Sequence, residues 1–141
     1  MNRRIIVIAD ADAIVAQAYA EDVNHERILS LSQKLTEQGA HILFPATVIA
    51  EAVTTLQRKF SNPNLASVTL ELFTDPDITL ENVDGETLRE AKQLFNPNAS
   101  KHNTIFDCIV ATIAKRRGAD AIFSFDGWYE KLGFKLVSGL V

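Results

Sequence analysis

Arg4-Ile5-Ile6-Val7-Ile8-Ala9-Asp10-Ala11-Asp12 is the stretch on which the reading of this chain turns. Its apolar run is short, unbroken and rich in β-branched residues, and it stops abruptly on two carboxylates. A run without apolar–polar alternation reads as a strand buried on both faces, the usual state in a parallel sheet covered by helices. Ligands in such sheets gather beyond the carboxyl ends of the strands, where the winding direction changes. Asp10 therefore stands at the lip of such a crevice, with Asp12 just past it.

Bulk composition bounds what a crevice there can serve. The 141 residues fit one domain spanning 1–141, long enough to bury roughly 68–70% of its unfolded surface. Hydrophobic residues make up 47% and charged residues 23%, an ordinary globular composition. No apolar run approaches the length of a bilayer span, so no transmembrane helix is expected. The single cysteine, Cys108, precludes an internal disulfide and suits a reducing cytoplasm. A formal net charge of -4 leaves no global basic field to attract nucleic acid. Any chemistry on a polyanion then rests on a local basic patch or on bound metal.

Beyond the first strand, residues 13–20 are helix-tolerant, and residues 24–38 form a clearer helix with Ile28, Leu31 and Leu35 at helical spacing. Asn24 is its candidate N-cap and Gly39 its stop. Residues 41–44 read as a second buried strand, and Pro45 as the first-turn proline of the next helix. Ile49, Val53, Leu56 and Phe60 give that helix a core stripe. Ser61-Asn62-Pro63-Asn64 breaks it. A second helical piece over 65–73 follows, with Leu65, Val68, Leu72 and Phe73 as its apolar set. A short strand at 78–80 precedes a helix over 84–95, with Asp84 as cap and Leu88, Ala91 and Phe95 inward. Residues 103–117 form a further helix with a basic end and a terminating Gly118. Strand 121–125, a short helix over 128–132 and a last strand at 134–137 close the chain. Strands alternating with helices imply an α/β domain with a mostly parallel sheet of about five strands.

Topology then gathers the acids. A crossover helix runs antiparallel to its strands, so a residue just after a strand shares a sheet edge with one near the start of the next helix. Asp10 and Asp126 follow strands directly, while Glu51 and Asp107 lie in the early turns of helices. All four are expected at the carboxyl edge. At ~5 Å and an effective dielectric of ~20, each like-charged pair there costs about 3 kcal/mol. A protein keeps such a cluster only if some acids are protonated or a cation neutralises them. Oxygen ligands without His or Cys point to Mg²⁺ or Mn²⁺, which suits hydrolysis of a phosphodiester. Asp12, Asp75, Asp77, Asp84 and Asp120 read as turn or cap residues with structural roles.

The ordered set Ile6-Val7-Ile8-Ala9-Asp10, Phe44-Pro45-Ala46-Thr47-Val48-Ile49-Ala50-Glu51, Phe106-Asp107-Cys108-Ile109-Val110-Ala111-Thr112-Ile113-Ala114 and Ile122-Phe123-Ser124-Phe125-Asp126 resembles the PIN-domain ribonucleases. The likeness is closest to the VapC toxins of toxin–antitoxin pairs. It implies a three-layer α/β/α sandwich with a five-stranded sheet in the order 3-2-1-4-5. It also implies Mg²⁺- or Mn²⁺-dependent endoribonuclease activity, with Asp10, Glu51, Asp107 and Asp126 as catalytic, metal-binding acids. Ser124 matches a hydroxyl residue that helps orient the carboxylates. As partners the resemblance implies an RNA substrate, a cognate antitoxin protein and pairing as a homodimer. Where many relatives carry a small hydroxyl residue after the first acid, this chain has Ala11-Asp12.

For substrate contact, Arg58 and Lys59 continue the helix bearing Glu51, and Lys101 and His102 precede the helix bearing Asp107. Trp128, just past Asp126, reads either as a base-stacking residue or as half-buried packing. Two rival functions compete. The first stretch also resembles haloacid-dehalogenase-type phosphatases, in which Asp10 would be the nucleophile and Asp12 the acid/base. The other rival is a non-catalytic PIN-like scaffold that only binds RNA or protein.

Overall fold

The protein was analysed as a computed structural model, which describes residues 3–99 and 103–141. The opening stretch forms strand β1 (Ile6–Ala9), and its side chains divide between two cores. Ile8 packs with Val48, Ile49, Leu56, Ile109, Ile113 and Ile122 on one side. Val7 and Ala9 pack with Ile28, Leu31, Leu35 and Phe123 on the other. A strand with apolar side chains on both faces has only one stable position, the middle of a covered sheet.

The sheet confirms this. Strands β2 (His41–Pro45), β3 (Leu80–Glu81) and β4 (Ala121–Phe123) pair in the order β3-β2-β1-β4, all parallel. Because β1 lies between β2 and β4, the winding direction reverses at the β1–β4 boundary. Helix α2 (His25–Glu37) covers one face. Helices α3 (Ala46–Arg58) and α6 (Ile105–Arg117) cover the other, and α1 (Ala11–Ala18) contributes to both cores. The helical hairpin of α3 and α4 (Pro63–Phe73) sits between β2 and β3, as the broken helical pattern implied.

Among the described residues four strands stand where five were expected. The segment 134–137 contributes only a parallel bridge between Ile122 and Leu136, with Ile122 N–H donating to Lys135 O at 2.9 Å. Gly133, at φ 95°, turns the chain out of the short helix α7 (Trp128–Lys131), and a 3-10 turn begins at Val137. Between them the chain meets β4 at that one bridge. The edge position is thus occupied, but not by a strand.

Smaller differences have local causes. Pro45 ends β2 at ψ 139° and caps α3 instead of opening it. Asn24 precedes α2 without a side-chain cap bond, whereas Asn62 and Asp84 do cap α4 and α5 (Gly85–Ala91). On α4 the buried residues are Ala66 and Thr69, while Val68 is 61% and Leu72 57% exposed. Leu65 and Phe73, at the two ends of the helix, are partly buried against the core, and Phe73 packs on Phe44. In α5 Thr87 and Ala91 are buried and Leu88 is exposed; Phe95, beyond the helix, is exposed as well.

Candidate active site

At the carboxyl ends of the strands lies a cavity of about 400 Å³ walled by Asp10, Asp12, Glu51, Asp107 and Asp126. Each acid is placed by a different local rule. Asp10 is the N-cap of α1: Oδ1 accepts from Ala11 N–H at 2.7 Å, which ties the end of β1 to the helix that follows. Asp107 is the third residue of α6 and closes a capping box, with Oδ2 accepting from Thr104 N–H at 3.0 Å. Asp126 follows β4 in a turn, where Oδ1 accepts from Trp128 N–H at 2.9 Å and Oδ2 from Asn103 Nδ2 at 3.1 Å. Glu51 projects from the second turn of α3, and its Oε1 is buried with no hydrogen-bond partner.

To the turn or cap role that the sequence gives Asp12, the structure adds a place at the cavity. Asp12 lies in the first turn of α1 and lines the cavity. Its Oδ2 accepts from Ser124 Oγ at 3.0 Å and from Phe125 N–H at 2.8 Å, while Oδ1 is buried and unpartnered. Ser124 Oγ also accepts from Asp126 N–H at 3.0 Å. One hydroxyl thus links the backbone of the last acid to the side chain of Asp12. No local pattern could have shown this, since the bond spans most of the chain.

A second residue missing from the sequence reading is Tyr129, fully buried in the core with Ile8 and Ile122. Its hydroxyl donates to Asp10 Oδ2 at 2.7 Å and lies 3.3 Å from Asp107 Oδ1. Trp128 takes the packing role: it lies edge-on to Tyr129 with ring centroids 5.3 Å apart and does not line the cavity. Lys59 is the cation among the described lining residues, next to Phe60, whose ring stacks on Tyr19 at 4.5 Å. Arg58 is exposed and outside the wall. Lys101 and His102 lie outside the described residues.

Burial raises the carboxyls of Asp10, Asp12, Glu51 and Asp107 above their usual range, and mutual repulsion adds to it. Burial, then the charge of Asp10, pushes Asp107 up to about 7 and Asp12 up to about 7. Glu51, half-buried and near the charges of Asp10, Asp107 and Asp12, is pushed up to about 8, burial being the larger cause. Asp10 is also raised, chiefly by burial. Tyr129 is driven far above a free phenol by burial and the neighbouring carboxylates, so its hydroxyl remains a donor.

Among the described residues no three acidic, His or Cys side chains already form a cage around one point. The acids stand along the wall, and Asp10, Asp12, Asp107 and Asp126 each accept hydrogen bonds from protein donors. Their chemistry nonetheless fits a hard divalent cation: the donors are all oxygen, and Asp12 Oδ1 and Glu51 Oε1 are buried without a partner. Buried oxygens of this kind are costly unless a proton or cation satisfies them.

The PIN domain family matches residues 7–135. The chain belongs to the PIN domain family. This PIN domain is 27% identical over 134 residues to a VapC ribonuclease of Aquifex aeolicus, covering 93% of this chain and 95% of the relative. Among solved structures it is similar to the sarcin-ricin-loop-cleaving toxin VapC20 of Mycobacterium tuberculosis, with a TM-score of 0.77 and 16% identity over 91% of this chain and 95% of that one. It is also similar to a chain of the Rickettsia felis VapBC2 complex bound to a promoter DNA fragment. There the TM-score is 0.60 and the identity 14%, over 94% of this chain and 97% of that one. Membership of this family sets aside the phosphatase reading of Asp10 and Asp12.

Proposed function

We propose that this PIN domain, one domain across residues 1–141, is a divalent-metal-dependent endoribonuclease of the VapC type acting in the cytoplasm. The observation that carries the proposal is the cavity at the carboxyl ends of the strands whose wall includes Asp10, Asp12, Glu51, Asp107 and Asp126, two of them with buried, unpartnered oxygens. Asp10, Glu51, Asp107 and Asp126 hold the ion, and Asp12 joins them through the Ser124 hydroxyl. A hard cation, Mg²⁺ or Mn²⁺, supplies the positive charge that relieves the acids and stabilises the negative charge developing in phosphodiester hydrolysis.

The chain's own groups do the rest. The α1 and α6 caps fix Asp10 and Asp107 on rigid helix ends. Lys59 places a cation on the cavity wall, where an RNA phosphate enters an otherwise acidic groove. The full-length similarity to a VapC ribonuclease supports RNA as substrate, and the VapBC2 relative supports a cognate antitoxin as partner. Pairing as a homodimer belongs to the same reading.

The test is purified protein on RNA with Mg²⁺, with Mn²⁺ and with excess chelator. Cleavage that depends on the ion is expected. Full activity in chelator overturns the metal role. Inactivity on every RNA tried, together with no ion uptake in a titration, favours the non-catalytic scaffold.

A further inference from the structure

Tyr129 occupies a place that a phenylalanine would fill as well by volume. Its ring is fully buried among Ile8, Ile109, Ile122 and Trp128. What sets it apart is a hydroxyl aimed at two acids from different elements, Asp10 at the end of β1 and Asp107 at the start of α6. A buried hydroxyl without partners is unfavourable, so its presence calls for a role in the cluster. Ionised carboxylates only accept hydrogen bonds, and each oxygen that accepts one keeps a further lone pair. A phenol has one proton to give, and here it is held between acceptors at 2.7 and 3.3 Å.

We propose that Tyr129 is a positioning residue whose hydroxyl braces Asp10 against Asp107 and sets the spacing at which the two present their remaining lone pairs to the divalent cation. This rests on the metal-dependent reading of the cavity. The brace is stiff because its base is the core. The ring is locked on both sides, and α7 is carried on the turn held by the Asp126 carboxylate and Trp128 N–H. Donors standing behind metal-binding side chains are known to tune ion affinity through orientation.

The test is a calorimetric Mn²⁺ titration of the wild-type protein and of Tyr129→Phe, which keeps the ring and removes only the hydroxyl. The expected result is a Kd for Mn²⁺ raised about tenfold in Tyr129→Phe, with an unchanged circular dichroism spectrum. RNA kinetics should show a lower kcat and a KM within a factor of about two. A Tyr129→Phe protein that binds Mn²⁺ as tightly as wild type overturns the brace. A wild type that takes up no Mn²⁺ instead overturns the underlying metal reading, so the two failures are distinct. If Tyr129→Phe does not fold, a second variant decides. The chain has 2 tyrosines, so Tyr19→Phe leaves Tyr129 as the sole reporter. Its ring Cζ resonance is expected to move on saturation with Mg²⁺, and an unmoved resonance in ion-loaded protein overturns the proposal.

Discussion

At the amino end of the sheet, Asp120 accepts from the backbone N–H of Ile6 at 2.9 Å and pairs with Arg3. The hydrogen bond from that guanidinium holds its carboxyl below the usual carboxylate range. At the carboxyl end, Asp10, Asp12, Glu51 and Asp107 share a cavity and are all raised. None of them accepts a hydrogen bond from a Lys, Arg or His among the described residues. The same functional group therefore stabilises the fold at one end and opposes it at the other. A domain that tolerates the second arrangement does so because something other than folding uses it.

Substitutions can break this contrast directly. Asp107→Asn should lower RNA cleavage by at least about a hundredfold, the upper range seen for residues that only support ligands. In chelator the same variant should melt several degrees higher than wild type, because a buried repulsion is gone. A loss of stability there, measured by calorimetry, would remove the contrast. The next effect is in pH. The raised carboxyls bind protons in the folded state that the unfolded chain has released, so metal-free stability falls as pH rises from about 4 to about 8. Asp120 acts in the opposite sense, losing its contribution only as pH drops below the ordinary carboxylate range. Melting curves in chelator should thus decline across that window. Added Mg²⁺ should raise the midpoint more near pH 8 than near pH 5.

Asp120→Asn should cost about 1–2 kcal/mol, with or without metal, and leave the kinetic constants of the folded protein unchanged. The smallest effect is expected at the cavity's cation. Lys59→Ala should raise KM for RNA about threefold and steepen nothing else, since one phosphate contact is lost. Arg58→Ala, outside the wall, should leave KM where it was.

The parts of this molecule legible in its sequence are those governed by neighbours along the chain. β1 announced itself by an unbroken apolar run, Asp84 by its place before a helix, and the edge location of four acids by chain direction alone. What escaped depends on contacts across the fold. Asp12 sits in a helix first turn, where an acid has an adequate local reason, and its partner Ser124 comes from another strand end. Tyr129 reads as one more core aromatic until Asp10 and Asp107 are placed beside it. On α4 apolar residues lie on several sides of the helix, so periodicity could not tell that Ala66 and Thr69 are the buried ones. The fifth strand is reduced to a single bridge between Ile122 and Leu136, a difference in pairing that the residues of 134–137 alone do not encode.

Cys108 lies under the first turn of α6, buried beside Asp107, and that burial pushes its thiol up. A native molecule therefore hides its lone thiol from alkylating reagents, which attack only the thiolate form at an accessible site. The rate at which iodoacetamide labels this chain becomes a clock for how often the helix supporting the cavity comes apart.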